Sequence, residues 1–358
     1  MAEEQNSGTE LVLSNPPHLR SDQSLRVIMW SVVIALMPST IYALSLYGIG
    51  ILFVMSASIG AAVAAEAVFQ LLMKKPLTIT DGSAVITGLL LAMNVPPDAP
   101  VWMVAIGAVF AIIIPKQLFG GIGFNIFNPA LAARAFLLAS WPVEMTTRWH
   151  QFGTTNVFSD AALRPGCLPQ HAFDTITQAT PLAALKEAPA LLSEMNAPLN
   201  CFYDFMFSST TLKSLFIGNI GGCIGETSAL LLLIGGLFLL IRRIITWHIP
   251  VSYIGTVAGF MLAYYLITGF PHPFKVTLFH LISGGLFLGA FFMATDMVTS
   301  PITTRGMIIF GIGCGIITSV IRIWGGYPEG VSYSILLMNA TVPLIDRYVR
   351  PRLFGTSG

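Results

Sequence analysis

Long apolar runs separated by brief polar breaks make up most of this chain. They fall at roughly 26–47, 49–73, 83–96, 100–115, 124–141, 214–241, 248–269, 277–297, 305–323 and 331–346. A helix needs about 20 apolar residues to cross the hydrocarbon of a bilayer. The pattern therefore predicts an all-α polytopic membrane protein of about ten transmembrane helices, with 83–96 shorter than a full span. A polar stretch at 142–213 divides the first five runs from the last five. It is too long for a simple connector and is expected to form a small extramembrane domain.

The two halves resemble one another. Residues 82–96 and 283–301 both start with small residues, continue as a bulky apolar run and end on a polar residue and proline. Each is followed by a glycine pair, Gly120-Gly121 and Gly325-Gly326, and then by Asn-Pro or Asn-Ala. Five spans per half makes the second copy inverted, so the expectation is two inverted five-helix repeats, with functional sites where they meet. The predicted organisation is an arm at 1–25, membrane repeats at 26–141 and 214–346, the loop at 142–213 and a tail at 347–358.

Composition supports lipid as the solvent: 54% of the 358 residues are hydrophobic and only 10% charged. A soluble domain carries about 25% charged residues. The net charge of +1, with basic residues scattered, argues against nucleic acid as a partner. Orientation follows from short-loop charges. With a cytosolic N-terminus, one side holds Arg20, Arg26, Lys74, Lys75, Lys116, Arg242, Arg243, Arg305, Arg347, Arg350 and Arg352, while the other has only Lys275 and Arg322 in short loops. Both termini are then cytosolic, and 142–213 lies outside, in the periplasm of a Gram-negative host. The polar N-terminus lacks the apolar core of a signal peptide, which suggests a retained arm. Trp102, Trp141, Trp247 and Trp324 fall at run ends, as an interfacial belt requires.

The stretch most telling for chemistry is Asp174-Thr175-Ile176-Thr177-Gln178-Ala179-Thr180-Pro181. By spacing alone it reads as a helix start, with Thr180 as N-cap and Pro181 in the first turn. Asp174, Thr177, Ala179 and Thr180 also match the flavinylation pattern Asp-x-x-Ser/Thr-x-Ala-Thr. The runs LTITDGSAVITGLLLAMNVPP (77–97) and GGIGFNIFNPALAARAF (120–136) resemble the flavin-carrying D subunits of Rnf (Rsx) electron-transport complexes, and are similar to the B subunits of sodium-pumping NADH:quinone reductases. The likeness covers nearly the whole chain. Gln178 departs from the family, where glycine is frequent.

This resemblance implies FMN joined by its phosphate to the Thr180 hydroxyl, installed by a flavin transferase, and a noncovalent riboflavin in the membrane region. It implies a subunit of an ion-translocating ferredoxin:NAD oxidoreductase in a bacterial inner membrane, with the other complex subunits and membrane lipids as partners. The chain has no glycine-rich dinucleotide fingerprint. Cys167, Cys201, Cys223 and Cys314 show no metal or cluster spacing, so NADH and ferredoxin are expected to react on partner subunits. Cys167 and Cys201 share a compartment that permits a disulfide.

Ionisable residues inside the membrane are functional candidates. Arg134 lies mid-run and either holds a second flavin's carbonyl edge or balances a carboxylate. Glu66, Glu226, Asp296 and Asn94 are ion-pathway candidates; headgroup-level placement, or for asparagines interhelical packing, is the alternative for each. The rival from another class is a redox-silent channel or transporter, since a five-plus-five arrangement resembles urea transporters. Asn94 and Asp296 then line a pore, and Thr180 only caps a helix.

Overall fold

The computed structural model describes residues 24–147, 180–194, 199–218, 221–327 and 329–350. Among these residues all regular structure is helical. The first half contains α1 (Leu25–Tyr47), α2 (Gly50–Leu72), α3 (Ser83–Met93), α4 (Val101–Ile112), α5 (Pro129–Ser140) and the short α6 (Pro142–Thr147). Three small helices follow: α7 (Pro181–Glu194), α8 (Leu199–Met206) and α9 (Ser209–Ile217). The remainder is α10 (Ala229–Ile241), α11 (His248–Ile267), α12 (Pro273–Ile282), α13 (Leu286–Met293), α14 (Thr304–Trp324) and α15 (Val331–Tyr348).

Among the described residues, only α1, α2, α11 and α14 are long and apolar enough to cross a membrane; α12 and α13, bent by 58° at their break, make a fifth if counted as one broken span. This corrects the expectation of about ten transmembrane helices in two inverted five-helix repeats, because no ten-helix, two-repeat arrangement is present among the described residues. The runs at 83–96, 100–115 and 124–141 form helices of 10–17 residues, and 214–241 breaks into α9 and α10. The physical reason lies in what makes a run apolar. In α3 every residue but Val85 is buried in protein, so its hydrophobicity answers to neighbouring helices and says nothing of span length. The glycine pairs are not equivalent either: Gly120 and Gly121 have φ of 126° and 102°, whereas Gly325 is extended at −70°.

Helix ends carry the expected chemistry. Ser24 caps α1, Asn128 caps α5 with Pro129 in its first turn, and Thr303 caps α14. Such caps satisfy the N–H groups that a helix start leaves unpaired, a requirement that is strict where water is absent. One large core fills the space between the long helices, α11 packing on α14 and α2 on α3 and α4. A second, smaller core joins α7, α8 and α9 to α12 through Leu182, Phe202, Met206, Phe207, Val276 and Phe279.

The break between α12 and α13 is where these cores meet. Gly284 and Gly285 take left-handed φ of 71° and 65°. A Cβ on Gly284 would lie 2.1 Å from Leu182 Cδ1 and 2.9 Å from an Arg322 guanidinium nitrogen. Gly284→Ala is expected to destabilise the protein by about 1–3 kcal/mol through overpacking and backbone strain. The readout is a lowered thermal unfolding midpoint in detergent. Gly255→Ala, where an added Cβ meets nothing, should leave that midpoint unchanged or slightly raised.

Candidate functional site

Two polar zones interrupt the apolar bundle. Twenty-three residues of α1 at about 1.5 Å per residue span about 35 Å, and the zones lie toward its opposite ends. Toward the Tyr47 end, the Tyr47 hydroxyl donates to Gly222 O at 3.3 Å, beside the turn that carries Cys223 and Glu226. Toward the Leu25 end, Ile28 and Met29 line a cavity.

The zone at the Tyr47 end centres on Arg134. Its guanidinium pairs with Glu329, donates to Ser332 Oγ at 2.6 Å and to Asn94 Oδ1 at 3.3 Å, and approaches Cys223 Sγ at 3.8 Å. Glu226 lies next to Gly285, at the start of α13. Ligand atoms of Cys223, Glu226 and Glu329 fall within 4.8 Å of one another. The Arg134 charge already answers Glu329 there, so the arrangement reads as a closed ion-pair network. Arg322, buried, donates to the carbonyls of His280, Ser283 and Gly284, and so closes the end of α12.

Helix α7 docks onto this zone. Thr180 is buried, and its hydroxyl accepts from Ala183 N–H at 3.3 Å as an N-cap. Leu182 covers Gly284, and the Lys186 ammonium donates to the carbonyl of Gly325 just beyond α14. Partial burial lowers the Lys186 pKa from its ordinary value. Asp174, Thr177 and Ala179 lie outside the described residues, as does any pairing of Cys167 with Cys201.

At the Leu25 end is a cavity with about 820 Å³ of empty space, part of it open to the surroundings. Its walls are mostly apolar, with Phe291 and Phe292 among them, and its polar lining includes Ser83, Lys116, Asn125, Asn128 and Asp296. Ser83 begins α3 and Asn128 caps α5, so two helix N-termini with their positive dipole ends meet at one space. Asn128 also donates to Met293 O at 3.3 Å. Asn339, oriented to satisfy both ends of its amide, accepts from Asn128 N–H at 3.1 Å. Behind Ser83, Lys116 forms a buried ion pair with Glu66 at 2.7 Å and donates to Ser83 Oγ at 2.7 Å, while Gln117 donates to Glu66 at 2.8 Å.

The candidates read from sequence thus divide. Glu66 and Asp296 lie at the Leu25 end, Arg134 and Glu226 in the other zone, and Thr180 at the docked start of α7. Asn94 joins the two: its Oδ1 accepts from Arg134 and its Nδ2 approaches Met293 Sδ at 3.6 Å. Lys116 and Arg322, counted in the sequence as loop charges, are both buried and leave that tally. Glu329 and Ser332 also escaped sequence reasoning. The one available signal was a lysine inside the apolar run IIPKQLF, and its carboxylate partner stands 50 residues away.

Arg134 and Glu329 are largely but not fully buried, so removing one member leaves the other charge poorly compensated, at a cost of at most about 3–5 kcal/mol. Glu329→Ala should therefore lower stability strongly. The double variant Arg134→Leu with Glu329→Leu should recover most of that loss, as read from thermal unfolding in detergent.

Comparison with known proteins identifies the family. The chain matches the NQR2, RnfD, RnfE family over residues 12–355. It is 46% identical to the D subunit of the proton-translocating ferredoxin:NAD(+) oxidoreductase complex of Clostridium ljungdahlii, over 99% of both chains. It is also 46% identical to the D subunit of the Na(+)-translocating ferredoxin:NAD(+) oxidoreductase complex of Acetobacterium woodii, over 97% of this chain and 96% of that one. With the D subunit of the ion-translocating oxidoreductase complex of Stutzerimonas stutzeri the identity is 42%, over 92% and 91%. This chain belongs to the NQR2, RnfD, RnfE family.

Proposed function

We propose that the chain is the membrane subunit of an Rnf-type ferredoxin:NAD(+) oxidoreductase complex. In this reading it passes electrons through FMN esterified to Thr180 and helps couple that flow to sodium or proton movement. The complex and its activity rest on the relatives' names, at 46% identity over nearly full length. The observation that carries the flavin reading is the position of Thr180, a buried N-cap at the start of a 14-residue helix docked on the break between α12 and α13.

The residues present fit such a group. A helix N-terminus offers N–H groups and a positive dipole end, which suit a phosphate. Here Pro181 lacks an N–H and the Ala183 N–H is taken by the Thr180 oxygen, so the Leu182 N–H is the first-turn donor left for a phosphate. Leu182 and Lys186 anchor the helix to the bundle, which supports a held attachment over a swinging one. The cavity at the Leu25 end fits a second, noncovalent flavin. Its apolar walls carry a few convergent polar groups, as small-molecule sites do. Flavin supplies one- or two-electron transfer when bound. Around it, Phe291 and Phe292 would exclude water, and Asn125, Asn128 and Ser83 would orient polar ring edges.

Exposed Lys74, Lys75, Arg242, Arg243, Arg305 and Arg347 support a cytosolic Leu25 end in a bacterial inner membrane, with 142–213 on the far side. Attachment at Thr180 requires a flavin transferase as a maturation partner. Thr177 and Asp174 then serve to position the motif, of which Ala179 is also a member.

The test is in-gel flavin fluorescence of denatured protein, co-expressed with a flavin transferase. Wild type should fluoresce and Thr180→Ala should be dark. Because the substitution also removes an N-cap worth about 1 kcal/mol, Thr180→Ser serves as control and should keep the cap and part of the fluorescence. A dark wild-type band beside a fluorescing flavinylated standard would return Thr180 to a capping role and favour the redox-silent channel.

A further inference from the structure

The buried Lys116–Glu66 pair is built unlike a structural ion pair. Glu66 Oε1 accepts from Lys116 at 2.7 Å, from Gln117 at 2.8 Å and from Gln70 at 3.5 Å, while Oε2 has no partner among the described residues. Lys116 is only 3% exposed, yet it lines the cavity. Of its three N–H donors, one goes to Glu66 and one to Ser83 Oγ, which in turn donates to Asp81 Oδ1 at 2.7 Å. The third N–H has no protein acceptor among the described residues. A buried ammonium is strongly disfavoured unless its donors are used, and the cavity is the space left for that donor.

We infer that Lys116 is a positioning residue for the cavity's occupant: its third N–H binds a carbonyl or ring-nitrogen edge, and its charge stabilises the electron that arrives there. This rests on the reading of the cavity as a flavin site. Among the described residues that line the cavity, Lys116 is the cation and Asp296 the carboxylate. The starts of α3 and α5 reach the cavity capped by Asp81 and Asn128, and Lys116 brings the ammonium whose remaining N–H is unused. The charged groups around Lys116 are Glu66 beside it, Asp81 through Ser83, and Asp296, which also lines the cavity and is held by Thr299 at 3.1 Å. Glu66, bonded to three donors, holds the ammonium in place and leaves its other oxygen spare. One electron enters from the preceding carrier of the complex; no bond at Lys116 forms or breaks, and its protons stay on Nζ.

The experiment is spectroelectrochemical titration of the full-length purified chain with its noncovalent flavin, together with flavin content after denaturing extraction. Lys116→Met should weaken binding of the reduced form relative to the oxidised form by about tenfold. This would read as a negative shift of about 59 mV for a one-electron couple. Lys116→Arg should keep most of the wild-type potential. Because Lys116→Met leaves the Glu66 charge unpaired, Lys116→Met with Glu66→Gln is measured beside it and should show a smaller shift of the same sign. An unchanged potential in both variants, with flavin retained, overturns the role of Lys116 alone. Ile28→Trp narrows the cavity from a partly exposed wall position. Loss of noncovalent flavin from that variant supports the site. Full retention there overturns the cavity reading, and with it the inference.

Discussion

A helix that breaks inside an apolar bundle exposes backbone groups that no water can satisfy, and the rest of this structure is arranged around that problem. Each unpaired carbonyl or N–H in such surroundings costs several kcal/mol, so irregular backbone survives only where protein supplies the partners. At the break between α12 and α13 the partner is Arg322, whose guanidinium answers the carbonyls of His280, Ser283 and Gly284. Gly284 must lack a side chain because Leu182 and Arg322 fill the space where one would stand. The docking of α7 is therefore a consequence of how the break is closed.

The same constraint explains why polar residues gather in two zones. Arg134 satisfies Glu329, Ser332 and Asn94 together, linking α5, the start of α15 and the end of α3. At the other end Lys116 ties α2 to α3 through Glu66 and Ser83. Each charge is answered by another element, so removing any one disturbs several helices. Between the zones, Asn94, Met293 and Asn128 make a narrow polar connection through an otherwise apolar wall.

The start of α7 offers a first-turn N–H beside a hydroxyl, which is chemistry for a phosphoester. The cavity offers apolar walls, two helix N-termini and an ammonium with a spare donor, which is chemistry for a planar, electron-accepting ring.

The solvent, the helical class and the family were legible in the amino-acid order alone. Those properties are local or additive: 54% hydrophobic composition, the run of residues 77–97 and the Asp174–Thr180 pattern can all be read without knowing what touches what. Thr180 was legible as a helix start for the same reason, because a cap is decided within four residues. The number of spans was misjudged, since hydropathy cannot tell a helix such as α3, buried in protein, from one facing lipid. Lys116 and Arg322 were counted as loop charges because their partners, Glu66 and the carbonyls of α12, lie some 40 to 50 residues away. The ion pairs, the closed break and the cavity came from tertiary packing. Each depends on side chains from separate helices meeting in a space that no single stretch of sequence encodes.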